Sequence, residues 1–494
     1  MNRKSDELIV PQKPANNASL DAAELVEGRG STKSNCQPCA PGRTQSRNTG
    51  TSRLLAVRQL ARRNKKQTFD NLFSLIDETL LVSSFYQLKR QSAAGCDGVT
   101  WRAYELALSQ NISALVDLLH EGRYRPRPAR RVFIPKEDGS QRPLSIICLE
   151  DKIVQQAVVT ILNQIYETDF LGFSYGFRPG RGQHDALDAL AVAIQRNSVN
   201  WVLDLDISKF FDTIDHEWMI QFVSHRVSDR RILRLLTQWL KIGTLDEHGL
   251  RSRADIGSPQ GAVISPLLAN IYLHYVYDLW THKYRKGCRG RVSVVRFADD
   301  SVLGFESKRE AEQFLEDVSV RMKQFGLTLH PEKTKLIPFG TGAAKLAYKA
   351  KERSGCFDFL GFTHYMGRTR KGRFTLKRKT KRGRLVSQLK RIRHELKTTR
   401  LHDPMGKTGA WLHKVVLGHL NYYTVPHNHD ALGMFVLEVK RAWLRAIRRR
   451  SQRNRMTWVR FNQLLKRWIP TPRIIHPYPA TRFDGTTRGR SRMR

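Results

Sequence analysis

Acidic residues are scarce in this chain: 45 Asp and Glu stand against 85 Lys and Arg, giving 494 residues a net charge of +40. A field of that size attracts polyanions and gains free energy from released counterions, so nucleic acid is the expected partner. A solvated basic surface and an anionic membrane surface are the alternatives. Long apolar runs are missing. No stretch of 18 or more apolar residues occurs, which excludes a spanning helix. The N-terminus, MNRKSDELIVPQK, has no apolar core segment and carries acids early, against a secretion or transit peptide. Cysteine is sparse too: Cys36, Cys39, Cys96, Cys148, Cys288 and Cys356 are too scattered for a disulfide framework and fit a reducing compartment. Cys36-Gln-Pro-Cys39 has metal-ligand spacing but no second pair to complete a tetrahedral site, so no zinc is expected there.

The chain is long enough for two to four domains. Residues 1–67 are polar and lack sustained periodicity, and are expected to be a mostly disordered basic extension. Helical spacing begins near Phe69, and further helices are expected over about 102–119, 151–168 and two within 215–241. Val132–Pro135, a turn at 137–139 and a return from Arg142 predict a hairpin. Two apolar strands end in acid, at Trp201–Ile207 and Val292–Phe297; the mixture indicates an α+β fold. From residue 371 onward, 32 Lys and Arg face 5 Asp and Glu, which accounts for 27 of the net +40. Leu385, Leu389, Ile392 and Leu396 form one apolar stripe there, and Leu432, Phe435, Val436, Val439, Trp443 and Ile447 form another. Amphipathic helices with basic outer faces imply a folded binding region rather than a solvated charge run.

The chemistry is concentrated in Phe297-Ala298-Asp299-Asp300. An Asp pair alone is usually a solvated turn. A second strand-end acid, Asp206, about 90 residues earlier changes the weighting. If the strands are neighbours, three carboxylates converge into a hard oxygen site suited to Mg²⁺ and phosphates. Two such ions can activate a hydroxyl and stabilise a leaving pyrophosphate. Asp204 shares the strand face in a supporting role, and Asp212 and Asp215 read as helix caps.

Taken in order, VLDLDISKFFD (202–212), GSPQG (257–261) and FADD (297–300) resemble the core motifs of reverse transcriptases. AGCDGVT (94–100), IPKEDGSQRPLSI (134–146), SYGFRPGRGQHDA (174–186) and GHLNYYTV (418–425) narrow the resemblance to the group II intron-encoded reverse transcriptase/maturase type, over roughly residues 68–475. The resemblance implies a right-hand polymerase: fingers at 68–200, a catalytic palm with an antiparallel sheet at 201–375, a helical thumb and maturase domain at 376–455, and a basic tail at 456–494 that touches target DNA. It implies two Mg²⁺ held by Asp206, Ile207, Asp299 and Asp300, with Lys333 as general acid. Lys136, Arg142, Phe211 and Gln260 match nucleotide-binding positions, Phe211 by excluding a 2′-hydroxyl; the plain readings are surface cations and a buried ring. Leu360 and Gly361 match the primer grip, or simply pack. Arg441, Arg445 and Arg448 are candidates for RNA contact, and Tyr422 and Tyr423 stack on bases or pack, packing slightly ahead. Phe297 stands where the family usually has Tyr. The implied partners are intron RNA in a ribonucleoprotein, RNA template, DNA primer, target DNA and dNTPs, with no membrane. The implied setting is bacterial cytoplasm, at the nucleoid. No cysteine follows Cys356, so the family's frequent C-terminal endonuclease is not expected. A splicing-only RNA-binding protein and a retron or defence-type reverse transcriptase are the alternative readings.

Overall fold

The computed structural model describes residues 46–135, 141–245, 251–252, 256–450 and 456–486. Its first element corrects the sequence reading. Residues 46–63 are not featureless but form helix α1 (Ser46–Arg63). The polar composition hid it because only a narrow stripe, Leu54, Val57 and the fully buried Ala61, meets the core. Helix α2 (Glu78–Gln87) starts where the Asp77 carboxylate accepts from the Leu80 N–H. The segment expected as one helix over 102–119 is two, Trp101–Glu105 and α3 (Leu108–His120). The hairpin forms, with β1 (Ala129–Pro135) antiparallel to β2 (Gln141–Ile146). Its turn, with Lys136, lies outside the described residues.

Helices α4 (Leu149–Asp169) and α5 (Gln183–Arg196) lead to strand β3 (Trp201–Leu205). Helices α6 (His216–Ser224), capped by Asp215, and α7 (Arg230–Lys241) follow. Short strands β4 (Thr244–Leu245) and β5 (Arg251–Ser252) then extend the hairpin sheet. Helix α8 (Ser265–Leu273) begins inside the GSPQGAVISPLL segment and passes through a π turn at His274–Asp278 into α9 (Leu279–Gly287). Strands β6 (Val292–Phe297) and β7 (Asp300–Phe305), helix α10 (Lys308–Gln324) and strand β8 (Lys335–Pro338) complete a second sheet of order β6-β7-β3-β8, antiparallel throughout.

Strand periodicity makes this sheet a partition between two cores. Leu203, Leu205, Leu303 and Phe305 face the core built with α1–α4 and α6–α10. Val202, Val295 and Val302 face the other, built with α5, with β9 (Cys356–Phe359), β10 (Phe362–Arg368) and β11 (Phe374–Thr380), and with the C-terminal helices. Those helices are α11 (Arg382–Lys397), α12 (Met405–Tyr423), α13 (His429–Arg448), α14 (Trp458–Leu465) and α15 (Pro479–Thr486). Both apolar stripes predicted in this region are buried.

The expected domain boundaries do not follow these cores. The cut at 375/376 falls inside β11, and α5 packs in the second core although it precedes residue 201. The described part of the tail expected to touch target DNA packs on the second core: Phe461 meets Trp443 with ring centroids 5.5 Å apart, and Arg482 reaches Asp185 at 2.6 Å. Among the described residues no helix is long and apolar enough to cross a membrane.

Candidate active site

Register brings the acids together. β3 pairs with β7 so that Leu205 faces Ser301, and β3 pairs with β8 so that Asp204 faces Lys335. Continuing the β3–β7 ladder sets Asp206 beside Asp300. On the other side the register shifts beyond Asp204, so that His330 N–H donates to Asp206 O at 2.8 Å, and it is the Lys333 side chain that reaches Asp206, Nζ lying 2.9 Å from Oδ2. Asp299 sits at the tip of the β6–β7 turn, whose Ala298 adopts a left-handed φ of +58°. Asp204 and Asp206 share one strand face, as alternation requires.

The carboxylates are crowded. Burial, then Asp299, Asp206 and Asp204 in turn, push the Asp300 carboxyl up to about 7. Burial and Asp206 push Asp204 to about 7 as well. Burial also raises Asp299, against the pull of Arg142 and Lys333. Lys333 is raised by its hydrogen bond to Asp206, so it stays cationic. Among the described residues no set of three or more Asp, Glu, His or Cys side chains already surrounds one ion position. The donor set is nonetheless all hard oxygen. Like charges collected with too little counter-charge fit a divalent cation bound together with phosphate. Asp206, Asp299 and Asp300 are the side chains that would hold it. Ile207 is buried and bridges to Leu329, so only its backbone could contribute.

The GSPQG loop joins this site to the hairpin sheet. Ser145 N–H donates to Gln260 O at 2.6 Å, and Ser258 N–H donates to Phe211 O at 2.7 Å. Gln260 Nε2 lies 3.3 Å from Asp212 Oδ1, so Asp212 meets the loop rather than capping a helix. Gly261 has φ +109°, and a Cβ there would lie 2.7 Å from Ser145 O. Arg142, opposite Ile134 in the hairpin, is close enough to act on Asp299. Phe211 is half-buried, edge-on to Phe210 at 5.5 Å.

Leu360 and Gly361 form the β9–β10 turn, Leu360 left-handed at φ +46°. Tyr422 Oη donates to Leu360 O at 2.7 Å, and Tyr423 is buried behind Gly361. These tyrosines therefore pack. Arg441, Arg445 and Arg448 are exposed on one face of α13, with Arg441 also 2.8 Å from Glu438. Sequence reading passed over Arg296, fully buried beneath the 297–300 turn; a charge inside the apolar run VSVVRF was the available signal.

The sequence is similar to those of several known proteins. The reverse transcriptase (RNA-dependent DNA polymerase) family matches residues 134–364. Protein YkfC of Escherichia coli is 35% identical over 286 residues, 52% of this chain and 75% of that protein. Group II intron-encoded protein LtrA of Lactococcus lactis is 33% identical over 226 residues, 44% of this chain and 37% of LtrA. A putative COX1/OXI3 intron 1 protein of Saccharomyces cerevisiae is 27% identical over 340 residues, 58% of this chain and 40% of that protein. The chain thus spans less than half the length of the last two. With 35% identity across three quarters of YkfC and the family match over residues 134–364, the chain belongs to the reverse transcriptase family of RNA-directed DNA polymerases and is similar to its group II intron-encoded members.

Proposed function

We propose that the chain copies RNA into DNA at the acid turn and also acts as the splicing maturase of a group II intron. The observation that carries the polymerase half is that Asp206 meets Asp300 through the β3–β7 register and Lys333 through a 2.9 Å ion pair. In this reading the hairpin sheet is the fingers, the β6-β7-β3-β8 sheet is the palm, and the helices from α11 onward are the thumb and maturase region. Asp206, Asp299 and Asp300, with the Ile207 backbone, would hold two Mg²⁺, which when bound would supply activation of the primer 3′-hydroxyl and neutralisation of the leaving pyrophosphate. Arg142 and Lys136 grip the triphosphate, Arg by a planar fork and Lys as a point charge. The Phe211 ring lies under the incoming sugar and rejects a 2′-hydroxyl. Gln260 borders the nucleotide, while Leu360 and Gly361 present backbone to the primer end. Lys333, kept protonated by its pairing with Asp206, carries a proton for pyrophosphate.

The maturase half rests on the basic face of α13, where Arg441, Arg445 and Arg448 meet intron RNA, and on the relatives named as intron-encoded. Template, primer, target DNA and dNTPs complete the partners. The test is primer extension on an RNA template with Mg²⁺, with Asp299→Ala as control. Incorporation that survives this substitution unchanged removes the catalytic assignment. Splicing of the parent intron is expected to survive it, because the substitution leaves the basic face intact.

A further inference from the structure

The SYGFR segment has no part in the chemistry above, yet it lies directly against the 297–300 turn. Backbone bonds join the two: Arg296 N–H donates to Phe173 O and Tyr175 N–H donates to Arg296 O, both at 2.8 Å. A Cβ on Gly176 would collide with the backbone nitrogen of Ala298. Behind the turn lies the Arg296 side chain, only 1% exposed. Its Nε and Nη2 reach the two oxygens of Asp278 at 2.7 and 2.6 Å. Nη2 also donates to Ser174 Oγ at 2.7 Å. Nη1 donates to Ala298 O at 2.9 Å and to Asn270 Oδ1 at 3.2 Å. All five guanidinium donors are used.

The seat is itself held. Asn270 Nδ2 donates to Gly176 O at 2.7 Å, and Ser174 O accepts from Arg178 and Arg181 at 2.7 and 3.2 Å. Arg296 shares the face of Val294, away from the carboxylates, so it contacts the turn without neutralising the acids. The turn needs such an anchor. Ala298 is left-handed, a conformation disfavoured for a residue with a Cβ, and mutual repulsion of the acids drives the turn apart.

We propose that Arg296 is a positioning residue: seated on Asp278, Asn270 and Ser174, it holds the Ala298 carbonyl and so fixes the aim of Asp299 and Asp300. This rests on the polymerase reading. Three variants separate positioning from folding. Arg296→Lys keeps the buried charge pair but cannot span all five contacts. Ser174→Ala removes one contact and no charge. Arg296→Met with Asp278→Leu removes both charges, which a core tolerates better than one unpaired charge. Each is followed by thermal unfolding, by Mn²⁺ binding from its EPR signal, and by RNA-templated extension at varied Mg²⁺.

The expected result is a folded Arg296→Lys protein that binds Mn²⁺ about tenfold more weakly and extends with kcat down at least about tenfold, its template–primer KM unchanged. Ser174→Ala shows the same pattern at a few-fold. The double variant matches Arg296→Lys. If folded Arg296→Lys and the double variant keep wild-type Mn²⁺ affinity and kcat while Asp299→Ala abolishes both, the positioning role is overturned and the polymerase reading stands. If Asp299→Ala changes neither, the polymerase reading falls and takes this role with it.

Discussion

The acid turn and the basic C-terminal helices handle charge in opposite ways. At the turn, three carboxylates are set by strand register within reach of one another, half-buried, and two of them are held near or above the usual carboxylate range by burial and mutual repulsion. On α13, Arg441, Arg445 and Arg448 are exposed and spaced along a helix face. Each faces water, where a single charge is worth little. The contrast implies two kinds of dependence: all-or-none on single residues at the turn, and distributed, salt-sensitive binding on the helices.

The most direct way to break that contrast is Asp300→Asn. It should cost at least about a thousandfold in extension rate, roughly 4 kcal/mol of transition-state stabilisation, while RNA affinity measured by filter binding stays within twofold. A mutant that lost RNA binding in proportion would erase the distinction. A smaller effect is expected at the loop joining the two sheets. Gly261→Ala puts a Cβ 2.7 Å from Ser145 O at φ +109° and should cost about 1–3 kcal/mol. Unfolding midpoint and dNTP KM would both report it, with KM rising.

Acid sensitivity sharpens the comparison from the buried side. His274 and His364 are each pushed down to about 3, first by burial and then by Arg296 and Arg378 respectively. An unfolded histidine titrates near 6.5, so the unfolded chain binds more protons below that pH. Their contribution to stability is therefore complete above 6.5 and is lost as pH falls toward 3, by up to about 1.4 kcal/mol per pH unit for each residue. Urea unfolding of His364→Phe, whose ring would keep the stacking on Phe357 at 4.9 Å, should fall less steeply between pH 6.5 and 4.5 than wild type. An unchanged slope would show that His364 is not neutral in the fold. The smallest effects belong to Arg441→Ala, Arg445→Ala and Arg448→Ala. Each should weaken RNA binding only a few-fold and lower the salt slope by about 0.7–1 per lost phosphate contact.

Much of this was legible in the residues. The strand acids at 206 and 299–300 announced themselves because alternation is read directly from sequence, and the stripes on α11 and α13 because 3.6-residue spacing is too. What needed coordinates was anything set by pairing across the chain. No local pattern says that β3 lies between β7 and β8, so the contact of Lys333 with Asp206 is not legible in the spacing, and the family resemblance implied only its general-acid role. Arg296 was overlooked because an arginine is ordinarily a surface residue, and its four side-chain and carbonyl partners come from segments up to 122 residues away. Helix α1 was missed because a helix that rests on so few apolar residues resembles a polar linker. The docking of the tail is not legible in sequence because Arg482 and Asp185, whose contact holds it, are 297 positions apart.

The GSPQG loop is pinned at both ends, to β2 through Ser145 and to the segment between β3 and α6 through Phe211. Under the polymerase reading, a hairpin that tilts when it grasps a triphosphate must drag that linkage with it. Nucleotide capture and sugar inspection then become one mechanical event, and an ill-fitting sugar resists the closing of the hairpin as well as the chemistry.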